Sequence, residues 1–108
     1  MRQAVGASAA LVATIPVTAD GLILPDALRR SLGECPENTL VCIQAANNET
    51  GVLQDIARLS AIADEADAIV MSDAVQAAGK VAVDMKGPGA EVMALSAHKI
   101  GGPKGVGA

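Results

Sequence analysis

The amino-acid sequence predicts an α/β fold with a mostly parallel sheet. Three observations lead to this class. Short apolar segments alternate with segments of helical periodicity along the 108 residues. Strands joined by crossover helices pair in parallel. The strand candidates are apolar at nearly every position, which is typical of strands covered on both faces.

The first elements lie in the N-terminal third. Leu11–Val17 (LVATIPV) is predicted as a strand, and residues 19–21 as a turn. A short helix is predicted from Pro25 to Leu32, because proline favours the first helical turn and Gly33 follows the last one.

Two strands and a helix follow. Thr39–Ala45 (TLVCIQA) is an apolar, β-branched run and is predicted as a buried strand. Asp55–Ala66 is predicted as a helix, because its apolar residues recur at three- and four-residue steps. Ala68–Ser72 (AIVMS) is predicted as another buried strand that ends at Asp73.

The last third holds three extended candidates. Lys80–Met85 is a short extended piece, Glu91–Ser96 (EVMALS) is a strand, and Gly105–Ala108 resembles the beginning of another strand. Two helices are too few to cover both faces of such a sheet. We therefore expect residues 1–108 to be part of a larger α/β domain, truncated at both ends.

Composition excludes several classes of function. The chain is 51% hydrophobic, has no aromatic residue and carries a formal net charge of −4. Nucleic-acid binding needs a clustered basic face and usually stacking aromatic residues, whereas the longest basic run is Arg29-Arg30. No apolar run approaches transmembrane length and no signal peptide is visible, so we expect a cytoplasmic protein with no membrane partner.

The two cysteines do not form a metal-type pair or a disulfide framework. Cys42 lies within an apolar run and is interpreted as a small buried hydrophobe. Cys35 lies in a polar turn, where a free thiol is expected. We predict no metal site.

Polar clusters follow three of the predicted strands. They are residues 47–51 (NNETG), 73–76 (DAVQ) and 96–99 (SAHK). Each alone is explained by a turn, a cap or a solvated charge. Ligands of open α/β sheets bind beyond the carboxyl ends of the strands, so three such clusters on one edge favour a ligand site.

The residue types at this edge suit pyridoxal phosphate. The glycine loop at residues 101–105 lacks the GxxxxGK[ST] spacing of a nucleotide-binding loop. A lysine amine forms a Schiff base with pyridoxal phosphate, and an acidic residue keeps the ring nitrogen protonated. An amide suits the phenolic oxygen, and a hydroxyl with an imidazole suits the phosphate.

Three motifs in order resemble the cysteine desulfurases, of the aminotransferase class V group of fold-type I pyridoxal-phosphate enzymes. They are NNETGVLQDI (47–56), SDAVQAAGK (72–80) and SAHKIGGPKGVGA (96–108), and the resemblance covers roughly residues 10 to 108. It implies that the chain is part of the three-layer α/β/α large domain of these enzymes.

The resemblance implies roles for six residues. Lys99 is the catalytic residue, which forms the Schiff base and moves the substrate proton, and Asp73 pairs with the ring nitrogen. The remaining cofactor-binding residues are Asn48 and Gln76 near the phenolic oxygen, and Ser96 and His98 at the phosphate.

The resemblance also implies a reaction and partners. The parent enzyme converts L-cysteine to L-alanine and passes sulfur as a persulfide to an acceptor such as an iron–sulfur scaffold protein, and it is a homodimer. The family's ring-stacking histidine and persulfide cysteine have no counterpart in this chain, so the chain alone is expected to be inactive. A selenocysteine lyase and an inactive truncated remnant remain open alternatives.

Overall fold

The structure is a computed structural model that describes residues 3–5, 10–35, 37–84 and 89–108. It contains a three-stranded parallel sheet and a separate two-stranded antiparallel sheet. The elements in chain order are β1 (Gln3–Val5), β2 (Ala10–Val12), α1 (Pro25–Gly33), β3 (Leu40–Gln44), α2 (Ile56–Asp64), β4 (Ile69–Asp73), β5 (Val92–Ala94) and a 3-10 turn (Ala97–Lys99).

The parallel sheet confirms the predicted α/β class. Its strand order is β3-β4-β5, with both neighbouring pairs parallel. Helix α1 begins at Pro25, and α2 begins after Asp55, whose carboxylate accepts a hydrogen bond of 3.1 Å from the Arg58 N–H. Such a cap satisfies one of the free N–H groups of the first turn.

The core lies between the two helices and one face of this sheet. Leu28 of α1 and Leu59 of α2 are buried with Val41, Ile43 and Val70 of the strands in one apolar cluster. Burial of aliphatic side chains supplies the main favourable free energy of folding. Both helices therefore lie on the same side of the sheet.

Neither of the described helices covers the other face of the sheet, which corrects the prediction for Cys42. In β3, buried Val41 and Ile43 alternate with exposed Leu40, Cys42 and Gln44. Successive side chains of a strand point to opposite faces. Since α1 and α2 cover only one face, the thiol of Cys42 is exposed rather than buried.

Other predicted strands are shorter than expected. Only Leu11 and Val12 of the run Leu11–Val17 belong to a strand, and Val17 makes an isolated antiparallel bridge with Ile23. Pro16 lies within the run and has no N–H to donate to a ladder.

The C-terminal predictions also change. Residues 80–84 form no strand, and Met85 lies outside the described residues. The predicted strand Glu91–Ser96 is reduced to Val92–Ala94, and the segment 105–108 forms a single bridge between Ser96 and Gly107. None of the described helices is long and apolar enough to cross a membrane.

Candidate active site

The carboxyl ends of the three parallel strands meet at one edge of the sheet. Gln44 of β3 is in register with Asp73 of β4, and Asp73 is in register with Ala94 of β5. Hydrogen bonds continue just past these pairs, from the Ala45 N–H to the Asp73 carbonyl at 2.8 Å and from the Ala74 N–H to the Ala94 carbonyl at 3.0 Å. The polar clusters at 47–51, 73–76 and 96–99 therefore share this edge, as expected.

Asp73 closes β4 with a half-buried side chain on the open face of the sheet. Its Oδ1 atom accepts a hydrogen bond of 3.0 Å from the Val75 N–H, which turns the chain away from the strand. Among the described residues, none donates to the other carboxylate oxygen. That oxygen can therefore accept a hydrogen bond from a ligand.

The segment after Asp73 is helix-like. The N–H groups of Ala77 and Ala78 donate to the Ala74 carbonyl at 3.0 and 2.9 Å. Gln76 lies on this turn and is half-buried, and its Oε1 accepts a hydrogen bond of 2.9 Å from the Lys80 ammonium. Its amide nitrogen has no hydrogen-bond partner in the part of the chain that is described.

Ser96, His98 and Lys99 lie on the tight turn after β5. The Ser96 hydroxyl and the His98 Nδ1 atom are 2.9 Å apart, within hydrogen-bond distance. The Lys99 N–H donates to the Ser96 carbonyl at 3.2 Å, while the Lys99 side chain is exposed. Within the described ranges, its ammonium has no hydrogen bond or ion pair, so it can meet a ligand.

The glycine loop folds back against this turn. The Gly102 N–H donates to the Ala97 carbonyl at 2.8 Å, and a Cβ at Gly102 would lie 2.9 Å from the Ala97 Cβ. A Cβ at Gly107 would lie 2.8 Å from the Leu95 carbonyl oxygen. Only glycine permits such close approach, so these residues fix the turn that carries Lys99.

Asn47 and Asn48 differ in a way that the sequence does not show. The Asn47 Oδ1 accepts hydrogen bonds from the N–H groups of Glu49 and Thr50 at 2.9 and 3.0 Å, and its Nδ2 donates to the Gln44 Oε1 at 3.1 Å. Asn48 is exposed, and no other described residue bonds to its side chain. Asn47 therefore shapes the turn, whereas Asn48 is free to contact a ligand.

Sequence reasoning assigned no role to Gln54, which joins two distant segments. Its Nε2 donates to the Gly21 carbonyl at 2.7 Å, and its Oε1 accepts from the Ile23 N–H at 3.0 Å. The Gln54 N–H also donates to the Ala45 carbonyl at 3.0 Å. The residue anchors the 47–53 loop from both sides, and only its position in the family-like motif could have drawn attention to it.

Glu91 ties the first residues of β5 to β4. The Val70 N–H donates a hydrogen bond of 2.6 Å to the Glu91 carboxylate. This bond, followed by a bond from the backbone N–H of Glu91 itself, lowers the pKa of the Glu91 carboxyl. The contact lies at the opposite end of the strands from Asp73 and holds β5 in register.

The donor set at the strand ends fits pyridoxal phosphate. The edge offers a hydroxyl–imidazole pair at Ser96 and His98. It also offers a carboxylate oxygen at Asp73, an amide nitrogen at Gln76 and an amine at Lys99, to which no described residue bonds. These groups match an aromatic nitrogen, a phenolic oxygen, a phosphate and an aldehyde. The described residues contain no group of three or more His, Cys, Asp and Glu side chains that could hold a metal ion.

The fold and this edge define a class of protein, and the comparisons agree with it. The aminotransferase class-V family matches residues 2–108. The chain belongs to that family, and the α/β fold is that of the fold-type I pyridoxal-phosphate enzymes.

The chain is similar to proteins that are named as cysteine desulfurases or as NifS-like. The chain is 45% identical over 94 residues to a cysteine desulfurase of Cereibacter sphaeroides. The matched residues make up 87% of the chain and 24% of that protein. It superposes on a NifS-like protein from Rickettsia africae with a TM-score of 0.82 and 38% identity, over 86% of the chain and 26% of that structure.

A further solved structure is described as SspA in complex with cysteine. It has a TM-score of 0.72 and 33% identity, and the match covers 82% of the chain and 25% of that structure. The chain spans about a quarter of the length of the relatives that it matches.

Proposed function

We propose that the protein containing this chain is a pyridoxal-phosphate-dependent cysteine desulfurase, and that residues 1–108 form part of its cofactor-binding domain. One observation carries the proposal: the register of β3, β4 and β5 gathers the three motifs at one sheet edge, with donors suited to that cofactor. Its membership of the family and its similarity to named cysteine desulfurases support the same assignment.

Lys99 is the proposed catalytic residue. Its exposed amine would hold the cofactor through the aldehyde of pyridoxal phosphate and, with substrate bound, would move the proton at the substrate Cα. When bound, the cofactor withdraws electrons from that carbon and stabilises the charge that develops there. The 3-10 turn holds the amine at the mouth of the glycine loop.

The other proposed site residues bind the cofactor. The open oxygen of Asp73 would accept a hydrogen bond from the protonated ring nitrogen and so keep that nitrogen charged. Gln76 and Asn48 donate amide N–H groups to the phenolic oxygen. Ser96 and His98, already joined by a hydrogen bond, donate to the phosphate.

The proposed reaction converts L-cysteine to L-alanine and leaves the sulfur as a persulfide on an enzyme cysteine. The resemblance puts the persulfide cysteine on a loop downstream of these motifs, so we assign this role to neither Cys35 nor Cys42. The Cys35 thiol donates to the Ser31 carbonyl at 3.1 Å, and Cys42 lies on the face of the sheet away from the helices. Transfer of sulfur to an iron–sulfur scaffold protein, a homodimeric assembly and a cytoplasmic location remain predictions.

The test uses the product of the complete open reading frame that contains this chain. With pyridoxal phosphate and a thiol reductant, we expect it to release alanine from L-cysteine, and Lys99→Ala to lower the rate at least about 100-fold. Release of alanine from L-selenocysteine but not from L-cysteine would replace this assignment with a selenocysteine lyase. No release from either substrate would contradict the proposal.

A further inference from the structure

Lys80 lies one helical turn beyond Gln76 on the segment that follows β4. The Lys80 and Val81 N–H groups both donate to the Ala77 carbonyl at 3.0 Å, which continues the helix-like path from Ala74. Residues four apart on such a path lie on the same side. The Lys80 Nζ atom accordingly reaches the Gln76 Oε1 at 2.9 Å.

This contact determines which way the Gln76 amide faces. A carboxamide has one accepting and one donating end, and the two are nearly equal in size. The ammonium of Lys80 can only donate, so it must take the amide oxygen. The amide nitrogen is left on the other side, with two N–H groups to give.

We propose that Lys80 is a positioning residue that holds Gln76 with its amide nitrogen, rather than its oxygen, toward the phenolic oxygen of the cofactor. The inference rests on the proposed function, because Gln76 has this task only if pyridoxal phosphate binds at the edge. Lys80 does not itself touch the cofactor. Its effect reaches the ring through the orientation of one amide.

The orientation has a chemical consequence. An amide that can only donate stabilises an ionised oxygen, which accepts, and offers nothing to the hydroxyl proton of a neutral phenol. The ammonium also adds a positive charge behind the amide and makes its N–H groups stronger donors. The Lys80–Gln76 pair therefore favours the ionised form of the phenolic oxygen.

The test compares three variants of the complete gene product. Lys80→Met removes the donor, and Lys80→Arg keeps a donor and a charge. Arg30→Met is the matched control, because it removes one positive charge from an exposed residue in the last turn of α1, away from the segment that carries Gln76. Lys80 is exposed, so its replacement leaves the folded core intact.

The first readout needs no cofactor. The side-chain amide resonance of Gln76, assigned by its loss in Gln76→Ala, is expected to shift in Lys80→Met and to return in Lys80→Arg. Arg30→Met is expected to leave it unchanged. An equal resonance in Lys80→Met and the unsubstituted protein would overturn the inference whether or not the protein binds pyridoxal phosphate.

The second readout is the pH midpoint of the visible absorption of the bound cofactor. Lys80→Met is expected to raise this pH midpoint by about 0.5 unit or more, because the ionised phenolic oxygen loses a hydrogen-bond donor that Lys80 holds in place. Lys80→Arg is expected to restore the midpoint. The other titratable groups of the edge are Glu49, Asp73, His98 and Lys99, and the variants leave them unchanged. A midpoint that moves equally in Lys80→Met and Arg30→Met would refute the positioning role.

The two proposals fail in different ways. If the unsubstituted protein takes up no pyridoxal phosphate, the proposed function fails, and the amide resonance alone decides whether Lys80 orients Gln76. If the cofactor binds and neither readout depends on Lys80, the proposed function stands and the inference fails.

Discussion

The helix-covered core and the strand-end edge are held together by different forces. In the core, Leu28, Leu59 and Val70 are almost completely excluded from water, and apolar packing fixes their positions. At the edge, the side chains are half-buried or exposed, and hydrogen bonds between residues two to four apart, such as that of Ser96 with His98, fix their geometry.

This difference separates stability from chemistry. The core sets where the three strands end, and therefore brings the polar clusters together. The edge adds the reactive groups with little buried area of its own. Substitutions in the core should therefore change the free energy of unfolding, whereas substitutions of the polar side chains at the edge should change cofactor binding with little effect on folding.

The largest expected effect on the free energy of unfolding comes from a substitution in the core. Leu28 is 0% exposed and Leu40, on the open sheet face, is 55% exposed. Leu28→Ala is expected to lower the free energy of unfolding by about 2–5 kcal/mol, because it removes packed atoms and leaves a cavity. Leu40→Ala makes the same change at an exposed position and is expected to cost far less. Urea unfolding of the 108-residue chain measures both losses, and equal losses would show that Leu40 is covered in solution.

A smaller effect is expected at the glycine loop. Gly102→Ala adds a Cβ 2.9 Å from the Ala97 Cβ and 3.1 Å from the Ala97 carbonyl oxygen, so the turn that carries Lys99 must shift. Overpacking of this kind costs about 1–3 kcal/mol, and we expect the affinity for pyridoxal phosphate to fall about tenfold.

The matched control for this change is Gly33→Ala. Its added methyl group has no atom within 4 Å, and the residue ends α1. Affinity for the cofactor should be unchanged and thermal stability the same or slightly higher. Equal cofactor affinities in the two variants would mean that the close approach of Gly102 to Ala97 has no role in the site.

The smallest effect concerns Glu91 and acid pH. Its pKa is lowered in the folded protein, so the carboxylate stabilises the fold above its ordinary pKa of about 4.3, and this contribution is lost as pH falls through the lower folded value. Glu91→Gln removes that titration. The difference in Tm between the two proteins should therefore narrow as pH falls from 6 to 3.

Glu34→Gln, which neutralises an exposed glutamate after α1, provides the comparison. Its difference in Tm from the unsubstituted protein at pH 6 should be smaller than that of Glu91→Gln, because no described backbone N–H donates to the Glu34 side chain. A constant difference between Glu91→Gln and the unsubstituted protein across this pH range would mean that the Val70 N–H bond does not depend on the charge of Glu91.

Much of the fold was predictable because the apolar pattern is local. The strands at 40–44 and 69–73 and both helices lie where the periodicity indicates them. The shared edge followed from parallel pairing, which the order of strands and helices already implied. These features depend on residues that are near one another in sequence.

The features that the sequence does not predict depend mostly on residues that are far apart along the chain. An apolar run does not reveal that the described helices cover only one face of β3, so the sequence predicts a buried Cys42 where the structure has an exposed one. The bonds of Gln54 to Gly21 and Ile23 span more than 30 residues, and that of Glu91 to Val70 spans 21. The difference in hydrogen bonding between Asn47 and Asn48 depends on the geometry of one turn, which their identical side chains do not reveal.

The position of the bound cofactor decides whether Lys99 is the reactive lysine. Pyridoxal phosphate is added to the complete gene product, the adduct is reduced with borohydride, and the labelled peptide is identified by mass spectrometry. We expect one label, on Lys99, in spite of the other lysines of the chain at 80, 86 and 104. Labelling spread equally over these four lysines would show that the edge does not select Lys99 and would contradict the proposed active site.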